Sequence, residues 1–318
     1  MQSSTPLSQQ TFFPILMTKN IHLEHPEDSI LDGTLSILGA FLNVIRLSVK
    51  FDGAPAIVWG TNPATGNFFV GTKSVFNKKK IRICETPEQI TEWYGGTDLE
   101  IILGSCLCNL PHTDRIYQGD FIGFGGDTEY TPNTITYKFD SPVAEEIIMA
   151  PHTEYVAESD LRDAVAYPIC KYNPFSASAA TNPDGSYFVK WVGADAVGDF
   201  EPLRDKIQFA RQMAQLVEFE DAKGATQLKK DLNAFIRDGE EIVPELFANY
   251  QLVRLWKLVA SIKEDAMRLI EIDSEVGAFI GDDEIDCEGY VMHSEHGSWK
   301  LVDRAEFSHA NFNMGVGA

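Results

Sequence analysis

A chain of 318 residues with 44% apolar and 23% charged content is long enough to bury a substantial core, as one large domain or two smaller ones. No apolar run approaches the roughly eighteen residues a membrane span needs, so no membrane partner is expected. The net charge of −21 opposes nucleic-acid binding by the average surface, because affinity for phosphate backbones rests on lysine and arginine.

The first ten residues are polar and expected to be mobile, and "TFFPILM" is too short and too poorly flanked for a secretory signal. A turn follows at Pro26, then an amphipathic segment from about Ser29 to Ile45, then a strand ending at Lys50. From 47 to about 195 the texture is that of strands: "AIVWG", "NFFVGT", "DRIYQGDFIGF", "NTITYKFD" and "SYFVKWV" are β-branched and aromatic, and Gly, Pro, Asn and Asp separate them. This predicts a mainly antiparallel sheet region. Within it, "KSVFNKKKIR" (73–82) concentrates basic residues in an otherwise acidic chain, a pattern that a solvated basic turn explains as well as a phosphate-binding one does.

Near Phe200 the apolar period changes to three and four, predicting three or four helices up to about residue 276. Strand character returns at "CEGYVMHSEHGSWKLVDRAEF", a hairpin with Gly297 in its turn. The expected organisation is therefore 1–199 as an N-terminal helix and the main β part, 200–276 as a helical insertion, and 277–318 as strands that complete the first unit. His293 and His296 have no third partner in sequence and are expected to form an exposed turn pair rather than a metal site. Cys84, Cys106, Cys108, Cys170 and Cys287 are odd in number and form no Cys-x-x-Cys pair, which points to a reducing, cytoplasmic setting.

The stretch "LSVKFDGAPAIVWG" (47–60) raises a chemical question. Side chains alternate along a strand, so Lys50 and Asp52 project together while Phe51 points the other way. Gly53 and Pro55 then give a tight exit that lets another group approach the backbone. An ion pair before a turn would account for the tetrapeptide. So would a nucleophilic lysine, which attacks only when deprotonated and needs nearby basic groups, metal-binding carboxylates and an aromatic platform.

Those groups follow in order. "KFDG" supplies Lys50, Asp52 and Gly53; "GTKSVF" supplies Lys73 and Ser74; "YQGDFIGF" supplies Asp120; "TITYKFD" supplies Tyr137 and Phe139; "CEGYVM" supplies Glu288 and Gly289; and "SWKLVDR" supplies Lys300. In this order they resemble the motifs of the covalent nucleotidyltransferase superfamily, which comprises ATP-dependent DNA and RNA ligases and mRNA-capping guanylyltransferases. The first and the Glu-Gly motifs are the specific ones, and the matched segments cover about a sixth of the chain. The pairing of "HLEHPED" (His22 to Asp28) with Lys-x-Asp-Gly-Ala-Pro also resembles uncharacterised bacteriophage proteins, a likeness that assigns no activity.

The resemblance implies an α+β fold, with antiparallel sheets flanking a nucleotide-binding cleft and a large helical insertion. It implies that Lys50 attacks the α-phosphate of ATP to form lysyl-AMP. Lys300, with Lys73, would neutralise phosphates; Glu288 and Asp120 would hold Mg2+ or Mn2+; and Val49, Asp52, Gly53, Tyr137 and Phe139 would line the nucleotide. In a ligase the AMP passes to a 5′-phosphate and is expelled by a 3′-hydroxyl, so the implied partner is nucleic acid, RNA in preference to DNA. The helical insertion could dock a protein partner. Three departures stand out. Val302 occupies the place of a second lysine, with Arg304 two further on; Asp120 is one methylene shorter than the usual glutamate; and the segment after Lys300 is expected to be too short for an appended oligonucleotide-binding barrel.

Overall fold

The computed structural model describes residues 18–19, 23–169, 188–272 and 274–304. The first ten residues, His22 and Cys170 lie outside them. Strand β1 is Thr18–Lys19. The segment expected to be one amphipathic helix is instead two short ones, α1 (Pro26–Ser29) and α2 (Ile37–Ala40). The break falls where Asp32 Oδ1 accepts from both the backbone N–H and the hydroxyl of Thr34, a local turn that competes with helix. Then come β2 (Val44–Lys50), β3 (Ala56–Thr61) and β4 (Phe68–Gly71), followed by a 3-10 turn at Lys73–Phe76.

Two helices interrupt the region read as strands, α3 (Pro87–Tyr94) and α4 (Asp98–Asn109). A reciprocal capping box starts α3: Thr86 Oγ1 accepts from Gln89 N, and Gln89 Oε1 accepts from Thr86 N. Next are β5 (Ile116–Phe124), β6 (Glu129–Tyr130), β7 (Thr136–Lys138), β8 (Ile147–Val156), β9 (Val165–Pro168), β10 (Val189–Trp191) and β11 (Asp195–Gly198). The helical block comprises α5 (Arg204–Ala214), α6 (Ala222–Arg237) and α7 (Tyr250–Met267). The chain ends in β12 (Ile270–Ile272), β13 (Gly277–Ile280), β14 (Asp283–Ile285), β15 (Gly289–Ser294) and β16 (Gly297–Val302).

This is a mixed α+β fold with three sheets. The first runs β1-β9-β8-β5-β3-β4 and is antiparallel, except that β10 joins β8 in parallel. The second runs β12-β11-β2-β15-β16, and the third β14-β13-β7-β6. The helical block leaves β11 and returns in β12, which pairs with β11, so it is inserted between neighbouring strands. Helical structure stops at Met267, short of residue 276, because β12 already belongs to the second sheet.

The block is not a free appendage. Ile207, Leu232, Trp256 and Ile262 pack with Leu31 and Phe41 over one face of the second sheet, against Leu47, Tyr290, Met292 and Leu301. Each such side chain contributes roughly 1.5–3 kcal/mol when fully buried. Helices α3 and α4 cover one face of the first sheet through Ile90, Leu103 and Cys106. A third apolar cluster, with Phe51, Ile122, Tyr137, Ile148 and Val302, ties the three sheets together beside the end of β2. Among the described residues no helix is long and apolar enough to cross a membrane.

Candidate active site

Lys50 is the last residue of β2 and lies opposite Gly289, which in turn lies opposite Val302 on β16. One row back, Ser48 pairs with Val291 and Val291 with Lys300. Strand alternation therefore puts Lys50 and Lys300 on one face of the second sheet, diagonal across β15, while Leu47 and Leu301 face the helices. Gly289 makes this possible: its φ is +153°, and a Cβ there would meet Leu301 O at 2.2 Å and Val302 Cγ2 at 2.8 Å. The preceding residue, Glu288, turns its carboxylate onto Lys50 Nζ and forms an ion pair between residues 238 positions apart. The pair is neither sealed nor open, with side chains 27% and 14% exposed.

After Lys50 the chain crosses to the first sheet. Ala54 N donates to Phe121 O (3.0 Å) and Phe121 N to Pro55 O (3.1 Å), so the loop lies directly on β5 beside Asp120. Gly53 is needed for that approach, since a Cβ would sit 2.7 Å from Phe121 O and 2.8 Å from Asp120 Cβ. Asp52 N donates to Tyr137 Oη (2.6 Å), and Asp52 Oδ2 accepts from Asn133 Nδ2 (2.8 Å). The first sheet thus supplies Asp120, the second Lys50, Glu288 and Lys300, and the third Tyr137.

These groups feel one another. Burial raises the Asp52 and Glu288 carboxyls above their ordinary range; Lys50 opposes the rise in both, and Asp120 adds to it. Burial, then the Lys50 charge, lowers Lys300, and Glu24 opposes that. Burial likewise pushes the Tyr137 phenol up, with smaller contributions from Asp52, Glu288 and Asp120. Three carboxylates and two amines therefore share a partly desolvated place on the surface of the second sheet.

Other expected residues stand elsewhere or play another part. Lys73 is exposed on its 3-10 turn and lines a shallow hollow with Phe76, Asn77 and Arg162. Tyr137 is buried with its ring 5.3 Å from Phe51, so it supports the Lys50 loop from beneath rather than presenting an open face. Phe139 is half-buried, edge-on to Tyr130 at 5.6 Å. Val49 packs into the apolar layers, and its N–H donates to Ala194 O at 2.9 Å. The histidine pair is not an exposed turn pair. His293 is buried on β15, its Nδ1 is 2.7 Å from Ser298 Oγ, and burial lowers its pKa to about 4; His296 occupies the hairpin turn.

Arg304 does not replace the missing second lysine. It binds Asp28 Oδ1 (2.9 Å), Glu27 Oε1 (3.2 Å) and Asn233 Oδ1. There it joins a buried network in which Lys263 Nζ donates to Glu27 Oε1 (2.7 Å), Trp256 Nε1 to Asp28 Oδ1 (3.0 Å) and Lys229 pairs with Glu24. The network touches the site through backbone, since Lys300 N donates to Glu24 O at 3.0 Å. Burial, with four surrounding cations, strongly lowers the pKa of His25 at its centre. The acids of "HLEHPED" were visible in sequence, but their partners on α6 and α7 are more than 200 positions away.

Among the described residues no group of three or more His, Cys, Asp or Glu is arranged to hold a metal ion alone. The donor set fits a different arrangement. A hard cation such as magnesium commonly takes one or two carboxylates and completes its shell with phosphate oxygens and water, and Glu288 and Asp120 would be those carboxylates here. Burial chiefly raises Glu288, and the repulsion that Asp52 and Asp120 add is the kind a cation relieves.

The chain belongs to a family of unknown function, DUF6267, whose model matches residues 20–248 and 242–315. No curated protein and no solved structure matches it.

Proposed function

We propose that the chain is an ATP-dependent polynucleotide ligase that works through a lysyl-AMP intermediate on Lys50, with RNA as its preferred substrate. One observation carries this reading: Lys50, Asp52, Asp120, Glu288 and Lys300 come from segments up to 250 residues apart, yet are gathered at one place with Lys50 bonded to Glu288.

In the proposed first step the Lys50 amine, having given up a proton, attacks the α-phosphorus of ATP. An N–P bond forms, the bond to the bridging oxygen breaks, and pyrophosphate leaves with that electron pair. Lys300, diagonal to Lys50, would meet the negative charge that grows on the phosphoryl oxygens. Asp120 and Glu288 would hold magnesium, which when bound supplies charge neutralisation for the leaving group. Glu288 has two partners to choose between: paired with Lys50 its carboxylate favours the ammonium form, in which the nitrogen lone pair holds a proton, and turning it outward would let that proton leave and free the nucleophile. In the second step a 5′-phosphate oxygen displaces Lys50 from phosphorus. In the third a 3′-hydroxyl displaces AMP and closes the strand.

A non-catalytic nucleotide-binding reading is favoured by one observation, the buried Val302 where the resembling enzymes carry a second lysine. Incubation with α-labelled ATP or GTP and magnesium, followed by a denaturing gel, separates the two. Covalent label on wild type that disappears in Lys50→Ala is expected. Unlabelled wild type, or undiminished label in the variant, would sink the covalent mechanism.

A further inference from the structure

The basic stretch 73–82 takes no part in the chemistry above, yet its place in the fold is specific. Strand β4 ends at Gly71, opposite Val58 on β3, and Val58 is two residues from Ala56, which lies opposite Asp120. The chain therefore leaves the first sheet at the end where the Lys50 loop enters it. It returns at Cys84, which pairs with Val70 through N–H···O bonds of 3.0 and 2.9 Å.

The excursion is anchored. Val75 is buried, Phe76 packs on Tyr155 with ring centroids 4.5 Å apart, and Ser74 Oγ lies 3.1 Å from Tyr94 Oη. On this base Lys78, Lys79 and Lys80 are exposed. Among the described residues neither these three nor Lys73 and Arg82 enter an ion pair, in a chain of net charge −21. A solvated turn would explain the lysines alone, but not what flanks them. The Arg82 guanidinium lies over the rings of Trp93 (5.7 Å) and Tyr94 (5.3 Å), and Trp93 is 41% exposed. Unpaired cations for phosphates beside an exposed aromatic for a base are the two components of a single-strand binding surface. An acidic peptide would use only the first.

We infer that the 72–83 excursion and Trp93 form a docking strip for single-stranded nucleic acid, with Lys78, Lys79 and Lys80 on phosphates and Trp93 stacked on a base. The strip starts at the end of the first sheet where the Lys50 loop enters it, and it rests on the function proposed above only for which end of the strand it binds.

The test is fluorescence anisotropy of a short 5′-phosphorylated RNA with the full chain, from about 50 to about 200 mM salt. Replacing all three lysines (Lys78→Gln, Lys79→Gln, Lys80→Gln) is expected to flatten the slope of log K against log salt by about two, at roughly 0.7 per lost contact. Trp93→Ala should weaken binding on the order of tenfold with little change in slope, and Trp93→Phe should recover part of it. Binding untouched by both changes overturns the strip, as does polyglutamate bound as tightly as the RNA with Trp93→Ala without effect. Labelling with α-labelled ATP on the same preparations keeps the two proposals apart. Wild type that binds RNA through these residues but takes no label overturns the adenylyl-transfer reading and supports the strip; labelled wild type whose RNA binding ignores both variants overturns the strip alone.

Discussion

Two charged clusters lie side by side in this molecule, joined by the backbone between Glu24 and Lys300, and they are built on opposite terms. Around Glu27 and Asp28 each carboxylate meets a cation: Lys263 and Arg304 bind Glu27, Arg304 binds Asp28, and Glu27 and Lys263 are 0% and 3% exposed. Around Lys50, among the described residues, three carboxylates and two amines share one lysine–carboxylate pair, Lys50 with Glu288, and Asp120 Oδ1 lies 3.8 Å from His152 Nε2; solvent reaches the pair, and the carboxyls of Asp52 and Glu288 are raised. Closed compensation is what a structural clamp needs. Charge left uncompensated and accessible is what a site needs if it is to meet a nucleotide and a metal.

Breaking the clamp should therefore give the largest change in stability. Lys263→Met leaves Glu27 buried with Arg304 alone, and loss of one partner of a buried pair costs about 3–5 kcal/mol. Urea unfolding should show that loss as a lower midpoint, while the folded fraction still takes label from ATP. Lys50→Ala should do the reverse, abolishing label while lowering the unfolding free energy by less than about 1 kcal/mol, since its pair is partly solvated. If Lys263→Met unfolds no more easily than wild type, the network is not the clamp described.

Within the open cluster, Lys300→Gln should lower the rate of labelling by about two to three orders of magnitude, the range for removing one preorganised group that meets developing charge. Its thermal midpoint should stay close to that of wild type. A rate within threefold or so of wild type would remove Lys300 from the chemistry and leave it a strand residue opposite Val291.

In the open cluster, strand alternation and the tight exit at Gly53 made Lys50 and Asp52 legible locally, whereas Asp120, Glu288 and Lys300 were picked out only through the resemblance to nucleotidyltransferase motifs. Lys50 at the end of β2 and the β15–β16 hairpin fell where they were expected. The closed cluster was not legible. Glu27 and Asp28 read as a turn, and nothing near them in sequence names Lys263, Lys229 or Arg304. Helices α3 and α4 were missed for another reason: β-branched neighbours set the texture of the region, although "TPEQ" at 86–89 carries a capping box and Gly95-Gly96 a stop. The buried His293 was misread because its burial depends on Arg46 and Ser298 across two strand pairings, whereas its neighbour His296 does sit in the turn.

The smallest expected effect sharpens the comparison from the side of stability. The fold raises the Asp52 carboxyl, chiefly by burial, so its charged form is less welcome in the folded chain than in the unfolded one. The stability it contributes is fully present below the ordinary carboxylate pKa of about 4 and is lost as pH rises through the higher folded value. Asp52→Asn keeps an acceptor for Asn133 and never ionises, so it should melt slightly above wild type at neutral pH, with the gap closing as pH falls below about 4. Partial exposure keeps the gain small. Under the proposed function labelling should fall at the same time, because the carboxylate that costs stability is one the reaction would use, a trade expected of a functional charge and not of a clamp. A variant that melts below wild type at neutral pH, or a gap indifferent to pH, would place Asp52 with the compensated charges and redraw the boundary between the two clusters.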